Sequence, residues 1–221
     1  MFSVLFEVHP KAEQWDAYLG FARLLKPELE QIDGFVDNIR YRSLTREGWI
    51  LSLSSWRDEK ALVRWRTRAR HHDVQEKGRT QVFLDYRLRV GQVTRDTRLP
   101  AGQVLQEQRL DETETGDATT VILVEGKRHD VNAGPRELAK GMGLDPSANG
   151  LVGWDVFEAV LTPGDLILLQ SFRTRSDAEA SGAAVSSSAR LRSVRVVRDY
   201  GMFDRREAPQ YYPEVARPAS G

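Results

Sequence analysis

The chain has 221 residues, enough for one large domain or two small ones, and with 40% hydrophobic and 29% charged residues its composition is that of a folded protein. Lysine plus arginine and aspartate plus glutamate both number 32, a balance that argues against a nucleic-acid partner. The absence of cysteine excludes disulfides, cysteine-ligated metals, iron–sulfur clusters and thiolate nucleophiles.

The N-terminal segment predicts neither a signal peptide nor a membrane span. It begins MFSVLFEVHP, with no basic start and an apolar run too short for either element. We therefore expect a cytoplasmic protein without a membrane partner.

The first 96 residues predict the element order βαββαβ. Residues 2–8 alternate as a strand, and residues 12–31 carry an apolar stripe at helical spacing in which Pro27 predicts a kink. Gly34 and Gly48 mark the next two turns. The remaining elements are predicted as strands at 35–44 and 49–56, a helix at 58–77 and a strand at 81–93.

That order is typical of a ferredoxin-like unit, in which a four-stranded antiparallel sheet carries two helices on one face. The other face of the sheet is left bare and partly apolar. Because apolar patches of that size are seldom exposed to water, the bare face needs a partner.

An internal repeat supplies a candidate partner. Residues 34–36 (GFV) recur as 150–152 (GLV), and 48–57 recur at the same spacing as 164–173. We therefore expect an α+β fold of two ferredoxin-like repeats. The predicted domains are repeat one at 1–96, a linker at 97–118 with one short strand at 102–106, repeat two at 119–206, and a tail at 207–221.

Several motifs of repeat one resemble a known family. They are Asp-Gly-Phe at 33–35, Ser-Trp-Arg-Asp-Glu at 55–59, Trp-Arg at 65–66, His71, Gln75, Gly-Arg at 78–79 and Asp-Tyr-Arg at 85–87. Together they resemble the antibiotic biosynthesis monooxygenase family of dimeric α+β barrel proteins, and repeat two does so more faintly. The resemblance implies that two sheets pack face to face, with a pocket between each sheet and its helices. The two repeats can close the barrel within one chain, or each can pair with its counterpart in a homo-oligomer.

Two histidines are candidate catalytic residues. Periodicity places His72 on the apolar stripe of helix 58–77 with Trp65, whereas the resemblance points to His71, which Gln75 could orient from one turn further on. A structural role is the alternative for either histidine.

The candidate binding residues are aromatic and polar side chains of repeat one. Trp56 and Trp65 provide flat walls for a phenolic or quinoid ligand, and the resemblance adds Gln75 and Tyr86. Asn38 and Arg40 alternate on one strand face, which points either into a cavity or to solvent.

No cofactor or metal is expected. The haem-degrading branch of the superfamily has an asparagine on its first strand and a histidine on its second helix, where this sequence has Val8 and Gln75. The sequence has no nucleotide-binding loop and no metal-spaced cluster. The predicted second helix of repeat two, at 177–190, has neither tryptophan nor histidine, so we expect that repeat to be structural.

These residues predict a cofactor-independent oxygenase acting on an electron-rich aromatic, a quinol or a polyketide phenol. Such a substrate supplies the electrons, so the protein has only to deprotonate it, exclude water and hold it beside dioxygen. His71 or His72 would be the base, and Asn38 or Arg40 would stabilise the phenolate. The alternatives are a non-catalytic small-molecule binding or stress-response protein, and a haem-binding or haem-degrading protein.

Overall fold

A computed structural model of the chain describes residues 1–107, 116–182 and 185–204, without the side chains of residues 69, 70 and 72. The strands are β1 (Phe2–Pro10), β2 (Phe35–Ser43), β3 (Ile50–Trp56), β4 (Phe83–Asp96), β5 (Thr120–Lys127), β6 (Leu151–Ala159), β7 (Asp165–Phe172) and β8 (Arg190–Gly201). The helices are α1 (Trp15–Glu30), α2 (Glu59–Arg66), α3 (Ala69–Lys77), α4 (Pro135–Gly141) and α5 (Arg175–Gly182), with a 3-10 turn at Ala12–Gln14 and a π-helical turn at Gly78–Val82. The expectation of an α+β fold is confirmed.

The eight strands form one closed antiparallel barrel in the order β1-β3-β2-β6-β7-β5-β8-β4. Each half of the chain pairs its strands alike: β1 lies between β3 and β4 in the first half, and β5 lies between β7 and β8 in the second. Two ladders join the halves, a short one between β2 and β6 and a long one between β4 and β8. Closure leaves none of these eight strands with an unpaired edge.

Strand alternation separates the barrel interior from its outer face. Leu5, Leu53 and Leu169 belong to an interior apolar cluster drawn from both halves. Their strand neighbours point outward, so that Val4 and Trp56 pack with the helices of the first half. The outer face of the first-half sheet, rather than the interior, is therefore the surface on which helices and a site are placed.

The interior also contains buried charges. Glu7 is 5% exposed and accepts hydrogen bonds from Arg89 at 2.6 Å and from Arg46 at 2.6 Å. Arg46 also donates to Asp155 of the second half at 2.8 Å. Buried charges require paired partners, and here the pairing crosses from one half to the other.

The helix predicted at 58–77 is wrong as one continuous element. Asp58 begins α2 by accepting a hydrogen bond from the Ala61 amide at 2.8 Å, as an N-cap does. The helix ends at Thr67, whose hydroxyl bonds back to the Val63 carbonyl at 3.1 Å, and Arg68 is extended before α3 begins. The break places Trp65 on α2 and His71 on α3, so the spacing of a single continuous helix does not describe how the two side chains are oriented relative to each other.

Three further predicted elements differ from the structure. Residues 102–106 form no strand. The second-half helix predicted at 177–190 is the shorter α5, described as far as Gly182, and residues 185–189 are not helical. A serine- and alanine-rich sequence of that kind has little apolar surface to extend a helix. The predicted tail at 207–221 lies outside the described residues. Within the described ranges, no helix is both long and apolar enough to cross a membrane.

Candidate functional site

A cavity of about 580 Å³ lies between the outer face of the first-half sheet and helices α1, α2 and α3. Its walls are mainly apolar, with Phe6, Leu25, Leu62 and Val90 among them. A cavity of this size is in the range that encloses a small organic molecule.

The strand register arranges the floor of the cavity in rows. Trp56 is opposite Phe2 at one end, and Tyr86 is opposite Val8 at the other. Between them, Asn38 is opposite Ser54, and Arg40 is opposite Ser52. The floor therefore runs from an aromatic end through a polar middle to a tyrosine at the far end.

At the aromatic end, His71 is held against Trp65. The two rings stack with centroids 4.3 Å apart and planes inclined by 19°. His71 Nδ1 also lies 3.1 Å from the Trp65 carbonyl oxygen. A carbonyl only accepts hydrogen bonds, so Nδ1 is the donor in this contact.

Trp56 is fixed more tightly than Trp65. It is 1% exposed, its indole Nε1 donates to Ser54 Oγ at 3.0 Å, and it meets Phe35 edge to face at 5.4 Å. Trp65 is 8% exposed. Both are rigid walls for a flat ligand.

In the polar middle, the Asn38 side-chain amide donates to Ser52 Oγ at 3.1 Å. Arg40 lies beside the phenolic oxygen of Tyr18 on α1, and its charge opposes the rise that burial causes in the pKa of that phenol. Both strand residues line the cavity, so of the two orientations left open by the sequence, the structure has the one that faces inward.

A second arginine and tyrosine pair stands at the far end. Arg79, 3% exposed on the π-helical turn, donates to the Tyr86 hydroxyl at 2.9 Å. Phe83 lies between the two pairs, with its ring 6.1 Å from that of Tyr18 and 6.2 Å from that of Tyr86.

Two cavity residues come from the second half of the chain. Arg198 and Tyr200 of β8 line the cavity because β8 continues the first-half sheet beside β4. In the second half itself, an apolar cluster that includes Ile122, Phe172 and Leu191 packs between the sheet and its helices.

The structure brings almost all of the predicted site residues together. The cavity is lined by His71, Asn38, Arg40, Trp56, Trp65, Gln75 and Tyr86. The side chain of His72 lies outside the described part of the chain. The roles of all these residues stay predictions.

Sequence reasoning missed Tyr18, Arg79 and Arg198 as site residues. Tyr18 belongs to the apolar stripe of the first helix, which marks a buried face and not a cavity. Arg198 reaches the site only through the pairing of β4 with β8, for which no local pattern exists. Across the described residues, no three histidine, aspartate or glutamate side chains are grouped as metal ligands.

Comparisons with known proteins agree with this architecture. Two crystal structures of aldoxime dehydratase, one in complex with butyraldoxime, superpose with TM-scores of 0.54 and 0.56 at 13% and 12% identity. Each match covers 88% of this chain and 80% or 79% of the other chain. At such identities the likeness shows the fold alone.

The sequence comparisons reach further. A Pyricularia oryzae (strain 70-15) protein named jasmonate monooxygenase ABM is 51% identical over 221 residues, which span 98% of this chain and 100% of that protein. Residues 1–77 match the antibiotic biosynthesis monooxygenase family. Both findings support a monooxygenase-like function. The chain belongs to the antibiotic biosynthesis monooxygenase family.

Proposed function

We propose that the first-half cavity is the active site of a cofactor-independent monooxygenase acting on an electron-rich aromatic, a quinol or a polyketide phenol. One observation carries the proposal: a histidine, two tryptophans and a row of polar donors line the same apolar cavity. A flat, oxidisable ring fits the tryptophan walls, and the polar row accepts its oxygen.

His71 is the proposed base. Its Nδ1 donates to the Trp65 carbonyl at 3.1 Å, so in the neutral ring the basic lone pair is on Nε2. The stack on Trp65 fixes the ring plane. Nε2 removes a proton from the reacting carbon or hydroxyl, and the negative charge that forms is delocalised onto the ring oxygen.

Of the two candidates, Asn38 is the proposed donor to that oxygen. It is opposite Ser54, two residues along β3 from Trp56 at the aromatic end, so the charge develops away from the base, as a conjugated ring allows. A donor that is already in place when the charge appears stabilises that charge without any reorganisation of solvent. It therefore favours deprotonation.

The overall reaction balances without an external reductant. One oxygen atom of dioxygen is bonded to a carbon of the substrate, the substrate as a whole loses two hydrogens, and the other oxygen atom leaves with them as water. All four electrons come from the substrate. The apolar walls exclude solvent from the carbanion and its peroxide, which water would otherwise protonate.

Oxygen uptake tests this proposal. We expect the purified protein to consume dioxygen with anthrone or 1,4-naphthohydroquinone, and His71→Ala to lose at least about a hundredfold in rate, as expected for removal of a general base. Arg42→Met is the matched control, because Arg42 pairs with Glu158 and lies outside the cavity lining. Uptake that is unchanged in His71→Ala contradicts the proposed base.

A second candidate is favoured by the name of the 51% identical relative. Jasmonate is a cyclopentanone acid with no phenol. Insertion of one oxygen atom into one of its C–H bonds consumes two electrons that the substrate does not supply, so this reaction requires an external two-electron reductant. Turnover of jasmonic acid only when a reduced nicotinamide or flavin is added favours this candidate over the first.

We also propose that the two halves are copies of one ferredoxin-like unit. Their equivalent strand pairings and the recurring segments at 34–36 and 150–152 support this. Repeat one at 1–96 is then the active domain and repeat two, at 119–206, the structural one. A small molecule in the cytoplasm stays the proposed partner.

A further inference from the structure

Tyr18 and Arg40 lie together in the cavity wall, and the Tyr18 hydroxyl hydrogen is available as a donor. Tyr18 is 6% exposed in the cavity wall, and the Arg40 guanidinium, which lines the same cavity, lies beside its phenolic oxygen. A guanidinium has no acceptor, so the hydroxyl hydrogen of Tyr18 is not used in this contact. Within the described residues, no acceptor takes that hydrogen.

The Arg40 guanidinium also lacks a charged partner within the described residues. Its Nε is buried and has no hydrogen-bond partner in the described chain. No carboxylate pairs with its guanidinium among the same residues. Its strand neighbour Arg42, by contrast, pairs with Glu158. A half-buried guanidinium without a counter-ion is costly unless a ligand supplies the charge.

Tyr18 is a neutral donor at physiological pH. Burial raises the pKa of its phenol, and Arg40 opposes that rise only in part. The O–H hydrogen is therefore present for a ligand.

We propose that Tyr18 and Arg40 form a subsite for the carboxylate of an apolar acid substrate. The inference rests on the proposed function only in assigning the cavity to a substrate. The Tyr18 hydroxyl and the Arg40 guanidinium supply donors for the two oxygens of one carboxylate. A carboxylate is already charged before it binds, whereas a phenolate has one oxygen and must first be formed.

The subsite lies apart from the proposed base. Arg40 is opposite Ser52 on β3, four residues from Trp56 at the aromatic end, which corresponds to about 13 Å of strand. Trp56 packs in one cluster with Trp65, on which His71 stacks. The substrate therefore carries its acid group roughly 10 Å from the atom that is oxidised, and Asn38 is left to bind an oxygen between them.

Binding of acids and of their neutral counterparts tests the subsite without turnover. The probes for isothermal titration are jasmonic acid against methyl jasmonate, and 1-naphthoate against 1-naphthol. We expect each acid to bind the unaltered protein at least about tenfold more tightly than its neutral counterpart, as expected for hydrogen bonds to a charged group.

Tyr18→Phe and Arg40→Met test the two residues. We expect Arg40→Met to weaken binding of the acids by about tenfold or more and Tyr18→Phe by about fivefold, with neutral-ligand affinity unchanged. Tyr41→Phe in the barrel interior and Arg42→Met are the matched controls. Thermal melts of each variant establish that it folds.

Three outcomes overturn the inference. They are equal affinity of the unaltered protein for an acid and its neutral counterpart, tighter binding of 1-naphthol than of 1-naphthoate, and parallel loss of both ligands in the variants. The comparison of acid with ester needs no variant, so it decides even where a substitution impairs folding. Failure of oxygen uptake alone contradicts the proposed function and not the subsite.

Discussion

Arg89, near the middle of β4, donates a hydrogen bond to Ser171 of β7 at 2.8 Å, which joins the two halves through the barrel interior. The same arrangement recurs with the halves exchanged, since Arg192 of β8 donates to Ser55 of β3 at 3.3 Å. Each arginine thus reaches a serine of the opposite half.

Each arginine also binds a glutamate of its own half. Arg89 donates to Glu7 at 2.6 Å, and Arg192 donates to Glu125 at 3.0 Å. The glutamates lie on β1 and β5, which pair alike with their neighbours. The pair of contacts holds the first-half sheet, and hence the floor of the cavity, against the second half.

Loss of one of these arginines is expected to destabilise the fold. Arg89→Met removes one partner of buried Glu7, and we expect the free energy of unfolding to fall by about 3 kcal/mol in urea titrations. Arg175→Met is the control, because its exposed pair with Glu179 is worth less than about 1 kcal/mol. Equal losses in the two variants contradict a stabilising role for the interior contact.

Stability is expected to decline in acid through Glu7. Burial alone would raise the pKa of this carboxyl, but Arg89 and Arg46 outweigh burial and hold the pKa below its ordinary value of 4.5. A lowered folded-state pKa means that the contribution is present above pH 4.5 and is lost as the pH falls through the folded value. Urea midpoints measured across acid pH should fall less steeply in Glu7→Gln; an unchanged slope excludes Glu7 as the source.

The long seam between β4 and β8 depends on Gly91. A Cβ at this position would lie 2.3 Å from Val194 Cγ1 and 2.8 Å from the Arg195 carbonyl oxygen. We expect Gly91→Ala to cost about 2 kcal/mol or more of unfolding free energy. Gly153→Ala is the matched control on β6, where a Cβ meets nothing within 4 Å, and it should stabilise by about 0.5 kcal/mol. Thermal melts that rank the two variants in the reverse order contradict this account of the seam.

Trp65 is expected to act through His71 as a positioning residue. Trp65→Leu removes the ring on which His71 stacks, so we expect kcat to fall by about tenfold while KM changes less, since the other walls remain. Trp65→Phe keeps a stacking surface and should recover part of the loss. A variant in which KM alone rises would show that Trp65 binds substrate without orienting the base.

The fold class was predicted from the sequence more accurately than the bounds of individual helices. Alternation in residues 2–8 and the turn glycines Gly34 and Gly48 placed the first-half strands, because these signals are local. The break between α2 and α3 was missed, since it lies in the extended backbone of a single residue, Arg68. A change confined to one residue leaves no trace in hydrophobic periodicity.

The sequence predicted those residues of the candidate site that lie in the first half of the chain. His71, Trp56 and Trp65 follow from motifs of that half, whereas Arg198 enters from a strand more than one hundred positions away by ladder pairing. Tyr18 was visible only as one member of an apolar stripe. Whether the hydroxyl hydrogen of Tyr18 is available to a ligand depends on the position of Arg40. The spacing of residues along a helix carries no information about that position.

The central claim is that this chain alone, through His71, transfers one atom of dioxygen to a substrate that supplies the electrons. A single turnover under ¹⁸O₂ tests it most directly, with chelator-treated protein, 1,4-naphthohydroquinone or anthrone, and no added reductant. The account predicts one ¹⁸O atom in the product and one in water, with the reaction lost in His71→Ala and retained in Arg42→Met. Label that enters the product only after a reductant or cofactor is added, or at the same rate in His71→Ala, would contradict it.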